Sequence, residues 1–392
     1  LNDMEEIQPY INTNHFPDLY CLKIQVGYQK TRGELDVKLI KKLKELHIYQ
    51  DRVEGPQSVK NLPSDLIGYV NMTLSVEQFM NQVSNCKCLE TVGFQRYQES
   101  LEPLFKFKIT QLILQILSND FQIEQLNNFQ DLQMLKFKCQ RDSQYNSVPL
   151  KISFTNCNLP KLKHLEIDGS SDIIDFDKIK QQLKKLKIGT ISNKDAFSDP
   201  TLPLEELSLR SQSLEGINLS ALKKLCLVVG KEFEMAHLST FTSLEHLFIS
   251  FSGFGILFQN GEAISALLNL KFLEVRGIYL NNLNFVQPLQ KVEKLVVFGC
   301  QVTNLLPLLQ CASLLQVEFN HNCKIDKGGI VGIVELIAKG VRFNGRGKVV
   351  RQDGKITELD CSQIKEILSF PQIELLKNLT HLCISGTNIS DL

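Results

Sequence analysis

Histidine, cysteine and paired carboxylates are the side chains through which this chain could do chemistry, and their spacing along the sequence predicts no catalytic or metal centre. Its seven histidines are His15, His47, His164, His237, His246, His321 and His381. None are separated by the three residues that would aim two imidazoles from one helical face at a metal ion. Eleven cysteines are scattered singly apart from Cys86 and Cys88. That odd number has neither the paired spacing of a zinc site nor the density of a disulfide scaffold, so reduced thiols in a cytoplasmic or nuclear compartment are expected. No G-x-S-x-G elbow, papain-like cysteine signature or kinase-like glycine loop occurs, and Glu205 and Glu206 are sequence neighbours that face different ways. A stretch from Lys324 to Asp353 carries six glycines with several basic residues, yet lacks the GxxxxGK[ST] order of a phosphate cradle. A longer structural unit is expected there, with a helix over "GIVELIAKG" ended by Gly340 and a loop or hairpin around Gly345 and Gly347. No catalytic residue, cofactor, metal or small-molecule substrate is expected, and the chain is not expected to be an enzyme.

Bulk composition points away from nucleic acid and membranes. Forty-three Lys plus Arg balance forty-three Asp plus Glu in 392 residues, so no strong field gathers phosphate backbone or anionic lipid. The basic run Lys184, Lys185 and Lys187 is followed by Glu205 and Glu206 and is expected to be a solvated face. No apolar run approaches the roughly 20 residues that cross a bilayer. N-x-Ser/Thr acceptor sequences at Asn71, Asn218, Asn378 and Asn388 would matter in a secreted protein and keep an extracellular location open. The chain starts at Leu1 and stops at Leu392 within a recognisable motif, so a fragment truncated at both ends is expected.

What must position these residues is a repeat. The pattern apolar-x-x-apolar-x-apolar recurs at Leu162/Leu165/Ile167, Leu183/Leu186/Ile188, Leu204/Leu207/Leu209, Leu222/Leu225/Leu227, Leu244/Leu247/Ile249, Leu270/Leu273/Val275, Val292/Leu295/Val297 and Leu314/Val317/Phe319. Earlier copies are Leu19/Leu22/Ile24, Leu43/Leu46/Ile48, a degenerate unit from Leu66, Leu89/Val92/Phe94, Ile109/Leu112/Leu114 and Leu132/Leu135/Phe137. Later copies are Val341 with Phe343, Ile356/Leu359/Cys361 and Leu379/Leu382/Ile384. Offsets 3 and 5 form a period-two pair, which places both on the buried face of a short strand.

With this period the sequence resembles the leucine-rich-repeat family, L-x-x-L-x-L-x-x-N/C-x-L, from about Leu19 to Leu392. Cys300 with Val302, and Asn322, fall in the Asn/Cys slot, and most other repeats lack the Asn. The resemblance implies an α/β solenoid over residues 1–392, a horseshoe or arc with a parallel sheet on its concave face and irregular or helical convex segments. Missing asparagines imply less regular loops. Return segments "EFEMAHLSTFTS" and "NGEAISALLN" are expected to be short helices, and "NNLNFVQPLQK" extended or turn-like around Pro288. Irregular insertions are expected at 141–158, as an extra strand or a loop, and at 324–353.

Offsets 2, 4 and 6 should face solvent. From Leu222 to the repeat starting at Val292 these positions turn apolar, with Val228, Phe248, Phe272, Val296 and Phe298, while Arg210, Glu274, Arg276 and Lys294 would supply a charged rim. Contiguous exposed aromatics mark binding surfaces. Phe251, Phe254 and Phe258 of the following segment could instead fold over these strands, or the register could be wrong. The resemblance implies a scaffold or recognition module that binds a protein partner of unknown identity on the concave face. An extracellular adhesion or receptor ectodomain, or the substrate-recruiting part of a larger ligase or regulatory protein, are the alternatives.

Overall fold

The computed structural model describes residues 18–26, 34–50, 58–71, 74–95, 100–116, 123–139, 150–168, 171–174, 177–191, 197–211, 213–230, 233–252, 256–257, 261–279, 283–298, 301–302, 305–319, 324–325, 336–337, 339–343, 348–352, 355–360, 362 and 380–387. The chain forms two compact units, residues 1–196 and 197–392.

In the first unit eight described strands form a parallel ladder in chain order: β1 (Cys21–Val26), β2 (Glu45–Gln50), β3 (Gly68–Asn71), β4 (Thr91–Gln95), β5 (Gln111–Ile116), β6 (Met134–Cys139), β7 (His164–Asp168) and β8 (Lys185–Lys187). Offset-3 residues stand in lateral register across it, Leu22 beside Leu46, then Tyr69, Val92, Leu112, Leu135, Leu165 and Leu186. Unit 2 repeats the plan with β9 (Glu206–Ser211), β10 (Lys224–Val229), β11 (His246–Phe251), β12 (Phe272–Arg276), β13 (Lys294–Phe298), β14 (Gln316–Phe319) and β15 (Arg342–Phe343). Here Leu207, Leu225, Leu247, Leu273, Leu295, Val317 and Phe343 align. Leu225, Leu247, Leu273 and Leu295 are all fully buried, each contributing about 1.5–3 kcal/mol of transfer free energy. Alternate residues point to the opposite, outer face of the sheet.

Backbone groups supply the regularity that the missing asparagines do not. At strand starts one carbonyl of the preceding repeat accepts from two successive N–H groups. Tyr20 O takes Lys44 and Glu45 at 2.8 and 3.1 Å, and Lys223 O takes Glu245 and His246 at 2.8 and 2.9 Å. Main-chain donors do not depend on side-chain identity, so divergent repeats keep the same joint.

Return segments are mostly short 3-10 turns, at Glu102–Leu104, Ile123–Asn128, Met235–Thr240, Asn284–Val286 and Leu306–Gln310. Around Pro288 the turn-like reading holds, a 3-10 turn at Asn284–Val286 running into a turn at Gln287 and Pro288. A longer helix, α1 (Val76–Gln82), starts with a capping box in which Ser75 Oγ accepts from Gln78 N and Gln78 Oε1 accepts from Ser75 N. "NGEAISALLN" holds the helical turn Glu262–Ser265. Within 141–158, Leu150–Ser153 is a strand pairing in parallel with Ser171–Ile174, which pairs with Thr190–Ile191. Buried Phe154, Cys157 and Leu159 then rejoin the core.

Near Gly340 the chain ends a helical turn in the expected way. Val341 N donates to Leu336 O and Gly340 N to Ile337 O, with Gly340 at φ 94°, the paired bonds of a Schellman motif. The loop or hairpin expected around Gly345 and Gly347 lies outside the described residues, and a hairpin follows it. Its arms are β16 (Lys348–Gln352) and β17 (Lys355–Asp360), antiparallel, with β17 parallel to β18 (His381–Cys383). Leu359 still aligns with Leu382 as their repeat offsets require.

Candidate functional site

The site is built on the outer face of β10 to β13. Parallel register sets three rows across these strands, and adjacent rows are two residues apart on each strand. One runs Lys224, His246, Phe272 and Lys294; the middle one runs Cys226, Phe248, Glu274 and Val296; the third runs Val228, Ser250, Arg276 and Phe298. Neighbouring strands lie about 4.8 Å apart, so residues far apart in sequence become contacts.

Arg276 is the centre of the cluster. Its guanidinium carbon lies 5.1 Å from the Phe248 ring centroid and 4.6 Å from that of Phe298, and its Nε donates to Glu274 Oε1. Lys294 Nζ stands 5.9 Å from the Phe272 ring and 2.8 Å from Glu318 Oε1. His246 tilts against Phe272 at 6.1 Å between centroids. Phe248, Phe272, Phe298 and Val228 are half-buried, and Arg210, in register with Val228, is exposed.

Two expected positions differ. Glu274 is only 8% exposed and sits at the middle of the patch, not its rim, because the guanidinium of Arg276 folds over it. Val296 is 3% exposed, a short side chain between the longer Glu274 and Glu318 of adjacent strands. Phe251 does not fold over the patch. It continues the inward alternation of β11 beside Val229 and is buried in the core. Phe254 and Phe258 lie outside the described residues. Sequence reading found the aromatic positions but not the Arg276 clamp, whose signal is the register itself: Arg276 is opposite Phe298 and diagonal to Phe248.

Among the described residues this patch holds no group of three metal-ligating side chains. On unit 1 two basic residues of the sheet, Lys136 and Lys187, are neutralised locally. Lys136 Nζ lies 2.9 Å from Glu166 and 3.2 Å from Asp168, and Lys187 Nζ 2.5 and 2.6 Å from the same two carboxylates. Burial pushes the Asp168 carboxyl up, but Lys187 and Lys136 outweigh it and hold the group below its ordinary range. Asn71, the first glycan acceptor, is fully buried with its amide donating to Tyr69 Oη at 3.0 Å, whereas Asn218 is exposed. Asn378 and Asn388 fall outside the described residues. No helix among the described residues is long and apolar enough to cross a membrane.

No protein-family model and no curated protein sequence matches the chain. Among solved structures it is similar to TLR13 in the TLR13–ssRNA13 complex, with TM-score 0.55 and 17% identity over 96% of this chain and 59% of that one. The chain thus spans less than two thirds of that protein's length. It is also similar to the internalin InlF of Listeria monocytogenes, with TM-score 0.42 and 14% identity over 99% of this chain and 89% of that one. A third is the LRR protein LIC12759 of Leptospira interrogans, with TM-score 0.41 and 16% identity over 90% and 87%. With apolar offsets in lateral register along parallel ladders and 3-10 turns on the return side, the chain has the leucine-rich-repeat fold.

Proposed function

We propose that the chain is a protein-recognition module, with no catalytic role, and that it holds its partner on the outer face of β10 to β13. The observation that carries this is the cluster of Phe248, Phe272 and Phe298 around Arg276 on adjacent strands. Aromatic and arginine side chains dominate binding energy when a partner desolvates them, and here they are held in place by each other before any partner arrives. Arg210, exposed beside the aromatics, carries charge suited to orienting an acidic rim on the partner, while Lys294 is already paired with Glu318.

Nucleic acid, present in the TLR13–ssRNA13 complex, is the competing ligand. Zero net charge and the pairing of Lys136 and Lys187 with carboxylates favour protein. Thiols at Cys21, Cys86, Cys88, Cys157, Cys311 and Cys383, together with the buried Asn71, favour a reducing cytoplasmic or nuclear setting. The test is capture from a native lysate by the parent and by Phe248→Asp plus Phe272→Asp, with circular dichroism confirming fold. Loss of specific protein partners by a folded double variant supports the assignment. Unchanged protein capture, or capture of nucleic acid that nuclease treatment abolishes, overturns it.

A further inference from the structure

On unit 1, β1 and β2 bring together three side chains that lie 24 and 26 residues apart in sequence. Cys21 is opposite Glu45, and His47 is two residues beyond Glu45 on the same face. The Cys21 sulfur, a Glu45 carboxylate oxygen and a His47 ring nitrogen all lie within 4.8 Å of one another. We propose that Cys21, Glu45 and His47 form a binding site for one divalent cation of the zinc class, with a fourth position open to water.

Bond lengths of about 2.3 Å to sulfur and about 2.0–2.1 Å to nitrogen or oxygen put tetrahedral ligands roughly 3.4–3.6 Å apart. Glu45 Oε2 and His47 Nε2 are 3.5 Å apart, longer than a good hydrogen bond and right for two ligands of one ion. The other donor separations are no more than 4.8 Å, within side-chain rotation of ligand spacing. A thiolate, an imidazole and one carboxylate suit zinc or cobalt, whereas calcium and magnesium require shells of oxygen.

Neighbouring residues leave room for the site and wall it. Gly68 is in register beside Glu45, and a Cβ there would come within 3.2 Å of Glu45 Cγ, so the absent side chain is what lets Glu45 lie in place. Val70, fully buried, is in register beside His47 and gives the imidazole an apolar wall. Such a shell limits water and fixes ring orientation. Lys23, opposite His47, is exposed, where solvent and salt screen its charge. A bound ion would cross-link β1 to β2. Sequence spacing hid the trio because its order is set by strand register, not by a local motif.

The test is titration of the whole reduced chain with Co²⁺, using a phosphine reductant that does not ligate as a thiol. A stoichiometric thiolate-to-cobalt charge-transfer band, displaced by one equivalent of Zn²⁺, is expected. Cys21→Ser should abolish the band. Glu45→Gln and His47→Gln should each weaken Zn²⁺ binding by at least the roughly 10–100-fold that losing an outer-shell partner costs. Cys88→Ser, an exposed thiol outside the trio, should leave both unchanged. If His47→Gln fails to fold, Glu45→Gln carries the affinity comparison. A band that survives Cys21→Ser, or a parent chain that binds no Co²⁺ stoichiometrically, overturns the assignment.

Discussion

The guanidinium carbon of Arg276 lies 4.6 Å from the ring centroid of Phe298, on the strand beside it. The same group stacks on Phe248 and holds the buried carboxylate of Glu274. Arg276→Ala removes both ring contacts, each about 0.5–1 kcal/mol at a half-exposed site. It also leaves Glu274 buried without its cation. Together these should destabilise unit 2 by about 2 kcal/mol. Adding Glu274→Gln to Arg276→Ala should recover part of that loss, which urea unfolding of the parent, single and double variants would measure. A change under about 0.5 kcal/mol for Arg276→Ala would be the size of an ordinary surface substitution and would remove the clamp from the account.

On unit 1, Lys136 and Lys187 flank Glu166 and Asp168 from both sides. With Asp168 held below its usual range, its contribution is fully present above the unfolded value, about 3.9, and is lost as pH falls through the lower folded value. Lys136→Met plus Lys187→Met should therefore cost about 1 kcal/mol near neutrality, since partly exposed pairs contribute modestly. The gap between parent and variant should narrow as pH falls below about 4 and shrink in 1 M salt. Thermal unfolding followed by circular dichroism at several pH values decides it. A gap that stays constant down to acid would mean the lysines act through packing alone.

Much of the fold is legible in the sequence because one rule, apolar at offsets 3 and 5, is enforced by burial in most of the described turns, buried Asn71 at offset 5 of β3 being a polar exception. Even degenerate Tyr69 falls in register between Leu46 and Val92. The aromatic patch is legible for the same reason, since offsets 2, 4 and 6 alternate with the core. What side chains do across strands is not. The folding of Arg276 over Glu274, and hence the burial of a residue expected at the rim, depends on neighbours 22 or more residues away. The antiparallel pairing of β16 with β17 broke the parallel expectation, although Asp353 and Gly354, a favoured hairpin dipeptide, stand between those strands in the sequence. A repeat template read through that signal.

Three thiols are locked into the joints between repeats. Cys86 Sγ donates to Pro63 O, Cys157 Sγ to Ile123 O and Cys311 Sγ to Val286 O. Burial pushes Cys86 and Cys311 up to about 11 and Cys157 to about 12, so at pH 8 only about one in a thousand or fewer is thiolate. Exposed Cys88 and Cys383 should be alkylated by iodoacetamide within minutes while these three stay unmodified until denaturant is added. Peptide mapping by mass spectrometry reads the outcome. Rapid native labelling of Cys157 would show that its repeat opens easily.

Two glycines separate backbone conformation from packing. Gly216 and Gly277 have φ of 79° and 77°, a region where a side chain costs roughly 1–2 kcal/mol. A Cβ at Gly216 meets nothing within 4 Å, whereas at Gly277 it would stand 3.0 Å from the carbonyl oxygen of Phe251, a backbone atom that β11 holds in place. Gly277 N also donates to Phe298 O at 2.9 Å, tying the end of β12 to the end of β13 beside the patch. Gly216→Ala should therefore lower stability by the conformational term alone, about 1 kcal/mol. Gly277→Ala should cost more, about 2–3 kcal/mol, because strain and the close contact add. Differential scanning calorimetry of the two variants gives the comparison. Equal losses would mean that the Phe251 carbonyl yields to the new methyl and that the turn after β12 does not hold the patch rigidly.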